Sequence, residues 1–329
     1  MKKFLLFSIL RGPTNCNVSF LERKSTSPWR IQWQRSHNAI NSTPPPGGGK
    51  KLSQEELEER QKLLMAKNLP KRKPIPGVKK VVLVASGKGG VGKSTVAVNL
   101  AVALKLLYPT KDISLLDADV FGPSLPRMMN LSGEPYLTKD NRMIPLQNHG
   151  VKCMSMGFLV KESAPVVWRG LMVMSAIEKL VRGVDWGPSD ILIVDMPPGT
   201  GDTQLSFAQT VEVDGAVIVT TSQQVAMQDA IKGVEMFKKT NIPVLGYVSN
   251  MSAFVCPSCG TKTPISSKAK SFFAQTGVEK LGEIPFNIEI GDCSDEGNPL
   301  VVSQPDSSNA AEFRRVAEQI IKKLAIIKQ

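Results

Sequence analysis

The sequence predicts an α/β fold, a mostly parallel sheet covered by helices on both faces. Apolar β-branched runs, Val81 to Val84 and Ile191 to Val194, are bounded by glycine and proline loops, as strands buried on both faces are. The first run enters a glycine-rich turn and then a helical stretch from about Lys93 to Leu107, the strand-to-helix order that builds parallel sheets. A third run, "ISLLDADVFGPS", delivers acidic residues to a strand end. In open α/β folds ligands bind at that edge.

The 329 residues are 42% apolar and 6% aromatic, ordinary for a well-cored α/β protein. No run reaches the roughly 18 apolar residues of a membrane span. Five cysteines, Cys16, Cys153, Cys256, Cys259 and Cys293, are odd in number and scattered, which speaks against a secreted disulfide framework and for a reducing compartment. The net charge of +12 would suggest nucleic acid if it were spread over the body. Half of it, however, lies in residues 1–40, where Lys2, Lys3, Arg11, Arg23, Lys24, Arg30 and Arg35 face only Glu22, so no nucleic-acid partner is expected.

Residues 1–40 are basic, Ser/Thr-bearing and nearly free of acid, with the composition of a mitochondrial transit peptide. The rival is a secretory signal, since "FLLFSIL" follows two lysines; that run is short and no small-x-small site follows. A disordered basic tail is the third reading. "NSTPPPGGGKK" then reads as a linker. Ser53 and Glu56 form a capping box for a short helix bearing Leu57, Leu63 and Leu64, and three prolines in "NLPKRKPIPGVKK" end it. The expected division is therefore a leader over 1–40, a linker with a short helix over 41–77, and one α/β domain over 78–329.

The strongest signal is "SGKGGVGKST". Gly87-x4-Gly92-Lys93-Ser94 satisfies the pattern of a phosphate-binding loop, and strand, loop and helix fall where it requires them. Gly87, Lys88, Gly89, Gly90, Val91 and Gly92 can close backbone N–H groups around phosphates. The helix N-terminus at Lys93, Ser94 and Thr95 adds partial positive charge, Lys93 reaches the terminal phosphates, and the Ser94 hydroxyl is offered to Mg²⁺. Asp195, closing Ile191 to Val194, stands where a carboxylate holds a Mg²⁺ water. Asp117 and Asp119 reach the same edge, and one of them can orient or deprotonate the attacking water. Any one of these aspartates alone reads as a cap or turn residue; their convergence on the loop gives them the chemistry. The ligand expected is ATP with Mg²⁺.

"NMSAFVCPSCGTKT" carries a Cys-x-x-Cys pair, Cys256 and Cys259, with no second pair in the chain. A closed zinc or cubane iron–sulfur site takes about four soft ligands, and on the pair alone zinc is the first reading. Cys153 alternates along a strand as a core residue. Cys293 falls in the polar stretch "IGDCSDEG", with no evident partner.

With Lys88 early in the loop as well as Lys93, "SGKGGVGKST" resembles the deviant Walker A (SIMIBI) subclass of P-loop NTPases. "DADVFGPSLPRMM", "VWRGLMVMSAI", "DMPPGTGD", "VSNMSAFVCPSCG" and "EIPF", in that order, resemble more narrowly the Mrp/ApbC iron–sulfur carrier family. With the transit-like leader they resemble its mitochondrial branch, which is associated with respiratory complex I assembly. That resemblance implies a homodimer across bound nucleotide, with Lys88 reaching the partner's phosphates, Asp119 activating water and Asn250, at the end of "VLGYVSN", contacting the adenine edge. It also implies that Cys256 and Cys259 from each protomer bridge one [4Fe–4S] cluster, because a two-fold interface repeats every ligand. The implied role is a slow ATPase that carries the cluster to recipient apo-proteins, complex I subunits among them, in the mitochondrial matrix. A zinc shared by the same dimer is the alternative for the cysteines. A Par/Min-type positioning ATPase is the alternative for the whole chain, and "AAEFRRVAEQIIKKLAIIKQ" could then lie on a membrane surface. Phe313, Val316, Ile320, Leu324 and Ile327 favour docking on the sheet instead.

Overall fold

The computed structural model describes Ser53 and residues 72–160, 170–256, 258–266 and 276–326. The chain divides into two units, Met1–Leu64 and Met65–Gln329, the second of which carries the α/β body. The expected leader, the linker of residues 41–51 and the capping-box helix beyond Ser53 lie outside the described residues, as do Val167 to Arg169 and Ile327.

A central strand β1 (Val81–Ala85) is buried throughout and leads through the glycine loop into α1 (Lys93–Leu107). Then come β2 (Ile113–Asp117), the short α2 (Leu125–Met128), β3 (Leu146–Asn148) and β4 (Val151–Ser155). The middle of the chain supplies α3 (Gly170–Arg182), β5 (Ile191–Asp195), α4 (Asp202–Thr210), β6 (Gly215–Thr221) and α5 (Gln224–Lys239). The last part holds β7 (Val244–Val255), β8 (Lys262–Pro264), β9 (Lys280–Phe286), α6 (Ile288–Asp295), α7 (Leu300–Ser303) and α8 (Ser308–Ile326).

Among the described residues nine strands form one sheet in the order β3-β4-β2-β5-β1-β6-β7-β8, with β9 also paired to β7. Every pairing is parallel except β3 with β4 and β8 with β7. From β1 the chain crosses one way to β2 and later, from β5 through β6 to β7, the other way. Right-handed crossovers therefore put α1 on one face and α4 and α5 on the opposite one. The register aligns Asp117 with Asp195 on neighbouring strands, so two carboxylates sit side by side at the carboxyl edge.

The apolar floor is continuous. Leu83, Leu100, Leu104, Ile113, Leu115 and Leu116 are fully buried, and α8 covers α1 and β9 with Phe313, Val316, Ile320 and Leu324, each buried. Gly282 on β9 is needed there, because a β-carbon would run into the Val316 side chain. The body also starts earlier than the expected Val78: Lys73 bridges Val211 and Ile75 is part of the core. Cys153 is buried on β4, as its alternation predicts. Cys293 is a correction. It lies in α6, not in a polar loop, and is buried with its Sγ 3.1 Å from Ser303 Oγ. Among the described residues no helix is long and apolar enough to cross a membrane.

Candidate functional site

The strand ends converge on the glycine loop. Gly90 and Gly92 take left-handed backbone (φ 77° and 78°), and Gly87 lies against the Asp229 backbone so closely that a β-carbon would collide; these are positions only glycine fills without strain. Gly92 is the N-cap of α1 and no side chain caps that end. The first-turn amides of Lys93, Ser94 and Thr95 therefore face outward unsatisfied, an anion site made by the helix terminus. They open on a cleft of about 290 Å³ lined by Lys88, Gly89, Gly90, Lys93, Ser94, Thr95 and Asp119 among others.

Inside the cleft Lys93, itself buried, pairs with the Asp195 carboxylate and lies 3.3 Å from Ser94 Oγ. Asp117 accepts from Ser155 Oγ at 3.0 Å, from the Leu125 amide at 3.3 Å and from the Asp119 amide at 3.1 Å. Burial, and then the neighbouring Asp195 charge, push the Asp117 carboxyl up to about 7 against the opposing pull of Lys93. Burial likewise raises Asp195, with Lys93 and Ser94 opposing. One lysine thus stands among two carboxylates and a hydroxyl. Ser94 Oγ and Asp195 are hard oxygen donors beside a phosphate cradle, a donor set suited to Mg²⁺. Asp119 is half-buried, and its carboxylate is tied to its own loop through the Phe121 and Gly122 amides at 3.3 and 3.4 Å. Lys88 is exposed, and no hydrogen bond or ion pair engages its ammonium among the described residues.

Asn250 is the residue whose setting differs most from expectation. It does not end its strand: β7 continues to Val255, past a register shift and past Met251 at φ 51°. Its Nδ2 donates to the Val91 carbonyl at 2.8 Å, which fixes the glycine loop and leaves Oδ1 as the free end of the amide. Beside it opens a cleft of about 330 Å³ lined by Gly92, Thr95, Met251, Pro285, Phe286 and Ile288 among others, with the dimensions and apolar walls of a base site. The residues from Pro285 onward were not singled out as binders from the sequence. The signal for them is that "EIPF" closes a buried strand at the same edge as Asp117 and Asp195.

The cysteine pair sits at the tip of a hairpin. Val255 pairs with Lys262, and the turn between them is closed by the Cys256 amide donating to Thr261 O at 3.0 Å and the Gly260 amide donating to Cys256 O at 2.8 Å. Cys259 is exposed and Cys256 half-buried, both as free thiols. Cys259 Sγ lies 3.2 Å from Thr261 Oγ1; hydrogen bonds from Thr261, and then one from Cys256, to the sulfur hold its pKa below the usual thiol value, toward the thiolate that binds soft metals. Among the described residues no three His, Cys, Asp or Glu side chains gather as a metal site, so the hairpin brings two soft ligands. It is the direct continuation of the strand that carries Asn250.

Comparison with known proteins gives the kinship of this arrangement. Residues 77–321 match the family model of ParA-type proteins described as the NUBPL iron-transfer P-loop NTPase. The chain is 55% identical over 272 residues to the iron–sulfur cluster transfer protein NUBPL of Mus musculus, covering 82% of this chain and 85% of that protein. It is 53% identical over 255 residues to the mitochondrial iron–sulfur protein required for NADH dehydrogenase of Arabidopsis thaliana, covering 77% and 81%. Among solved structures, the nucleotide-binding protein of Archaeoglobus fulgidus in complex with ADP superposes with a TM-score of 0.61 at 32% identity, over 80% of this chain and 98% of that one.

Proposed function

Since the chain belongs to the family of NUBPL iron-transfer P-loop NTPases, we propose that it is an ATP-dependent carrier that holds a [4Fe–4S] cluster between two copies of itself. It delivers the cluster to mitochondrial apo-proteins, subunits of respiratory complex I among them. The observation that supports this best is the continuity of β7: one strand carries Asn250 beside the base cleft and then runs on to Val255, where the exposed cysteine hairpin begins. Six residues span at most about 20 Å even when fully extended, so a change at the nucleotide is felt close to the cargo.

The chemistry follows from the side chains. The outward amides at the start of α1 and the Lys93 ammonium receive the phosphates, and Lys93 exchanges its Asp195 partner for them. Released from that ion pair, the Asp195 carboxylate and the Ser94 hydroxyl would hold Mg²⁺, which would offset the phosphate charge when bound. Lys88, exposed at the mouth, reaches the phosphates of the second copy. Asp119 accepts a proton from the attacking water. Cys256 and Cys259 of each copy supply two thiolates, and the two-fold axis supplies the other two. An exposed cluster ligated in this way is suited to transfer. The basic leader of residues 1–40 takes the chain to the mitochondrial matrix.

Anaerobic reconstitution with iron and sulfide, followed by metal and sulfide quantification on the size-separated dimer, tests the proposal. About four irons and four sulfides per dimer are expected, lost together in Cys256→Ser. Stoichiometric zinc without sulfide would replace the carrier with a zinc-linked ATPase.

A further inference from the structure

The loop after β5 and the loop after β2 face each other across a cleft of about 360 Å³, lined by Asp119, Phe121, Gly122, Pro197, Pro198, Gly201, Thr203 and Gln204. Asp119, Gly122 and Pro198 also line the phosphate cleft, so the two spaces share a wall. Gln204, in the first turn of α4, is 2% exposed. Its amide nitrogen donates to the Pro197 carbonyl, which pins the loop after Asp195. Its Oε1 is buried and has no hydrogen-bond partner among the described residues.

A buried acceptor without a donor is costly and uncommon. Pinning Pro197 needs only the N–H, so the anchor does not explain the oxygen. Gly122, Gly199 and Gly201 have no atom within 4 Å of where a β-carbon would stand, so neither loop is packed against another part of the protein at these points.

Resting on the ATPase reading above, we propose that Gln204 Oε1 is the second acceptor, beside Asp119, for the water that attacks the terminal phosphate. A water donating one O–H to each acceptor has its lone pair turned toward phosphorus. The water oxygen then bonds to the terminal phosphorus, and the bond from that phosphorus to the bridging oxygen breaks with its electron pair remaining on ADP. The water's proton passes to the Asp119 carboxylate and from there to the released phosphate. Gln204 takes no proton; it is a positioning residue.

The test is steady-state hydrolysis of MgATP by the full chain, with affinity for a non-hydrolysable ATP analogue measured in parallel. Gln204→Met should lower kcat at least about tenfold while analogue affinity stays within about threefold. Gln204→Glu, whose protonated carboxyl keeps an O–H for Pro197 and a carbonyl acceptor, should recover most of the rate at low pH. The loss should also be non-additive: Gln204→Met added to Asp119→Asn should slow that variant less than about threefold, as expected of groups holding one water. Wild-type kcat in Gln204→Met overturns the inference, as does a rate loss matched by lost analogue affinity or unrelieved in Gln204→Glu. Hydrolysis by the wild type no faster than by Lys93→Ala removes the ATPase reading and the inference with it.

Discussion

Asp117 and Asp195 share one lysine inside a dry edge of the sheet, and that arrangement makes fold stability depend on pH. With its carboxyl raised to about 7 by burial and by Asp195, folded Asp117 keeps a proton that the unfolded chain, with an ordinary carboxylate, releases near pH 4. Between those values the folded protein binds more protons, so stability falls as pH rises from about 4 to about 7 and levels off above. Asp117→Asn removes this dependence. Thermal melts in chelator, without nucleotide, should show the variant gaining on the wild type across that window and holding a constant margin above it; a margin independent of pH would contradict the assignment. Asn250 makes a second prediction at this scale. With Nδ2 committed to Val91 O, the amide offers an acceptor, which suits the amino group of adenine and repels the carbonyl of guanine. Asn250→Ala should therefore narrow the preference for ATP over GTP by about tenfold, in line with one hydrogen bond of about 1.4 kcal/mol. Lys93, Ser94 and Asp195 were legible in the sequence because each occupies a fixed offset from a buried strand. The orientation of the Asn250 amide was not, because it depends on a carbonyl 159 residues away in the chain.

Among the elements, α1 was legible to its ends. Its apolar residues sit behind a glycine loop whose left-handed glycines stop the helix from starting earlier. The extent of β7 was not legible, because Met251 adopts left-handed backbone that no local signal announces in a β-branched setting. Cys293 was misplaced for a related reason: "IGDCSDEG" is polar on average, yet Asn287 caps α6 by accepting from the Glu289 amide at 2.9 Å and turns the thiol inward. The terminal helix α8 shows how packing decides between two readings of one amphipathic sequence. Its basic residues stay with the protein only in part: Lys323 pairs with Glu279 beyond the helix, Arg314 donates to Pro305 O just before it, and Arg315 pairs with Glu312 on the helix itself. Its apolar stripe is buried on α1 and β9. Phe313→Ala should accordingly cost about 3–5 kcal/mol of global stability by denaturant unfolding. A near-neutral change would mean that the stripe does not seal the core.

At the scale of the whole molecule, the arrangement of ligands sets a counting rule. The hairpin of one chain brings Cys256 and Cys259, whereas a cubane cluster takes about four thiolates; a two-fold pair of hairpins meets that need and a single chain does not. The rule has a signature that neither spectroscopy nor a single point variant provides. When wild type is mixed with a Cys256→Ser/Cys259→Ser chain and the protomers are allowed to exchange before reconstitution, only dimers with two wild-type chains can close the site. Cluster content per wild-type chain should then fall as the variant is added. At equal amounts only about a quarter of dimers would be loaded, whereas independent binding by each chain would leave every wild-type chain loaded. If Lys88 reaches the phosphates of the second copy as proposed, ATP should sharpen the result by favouring the dimer, and Lys88→Ala should weaken that effect without touching the thiols. Cluster content proportional to the wild-type chain alone, measured as iron and sulfide on the separated dimer, would refute the bridging arrangement and the carrier mechanism that depends on it.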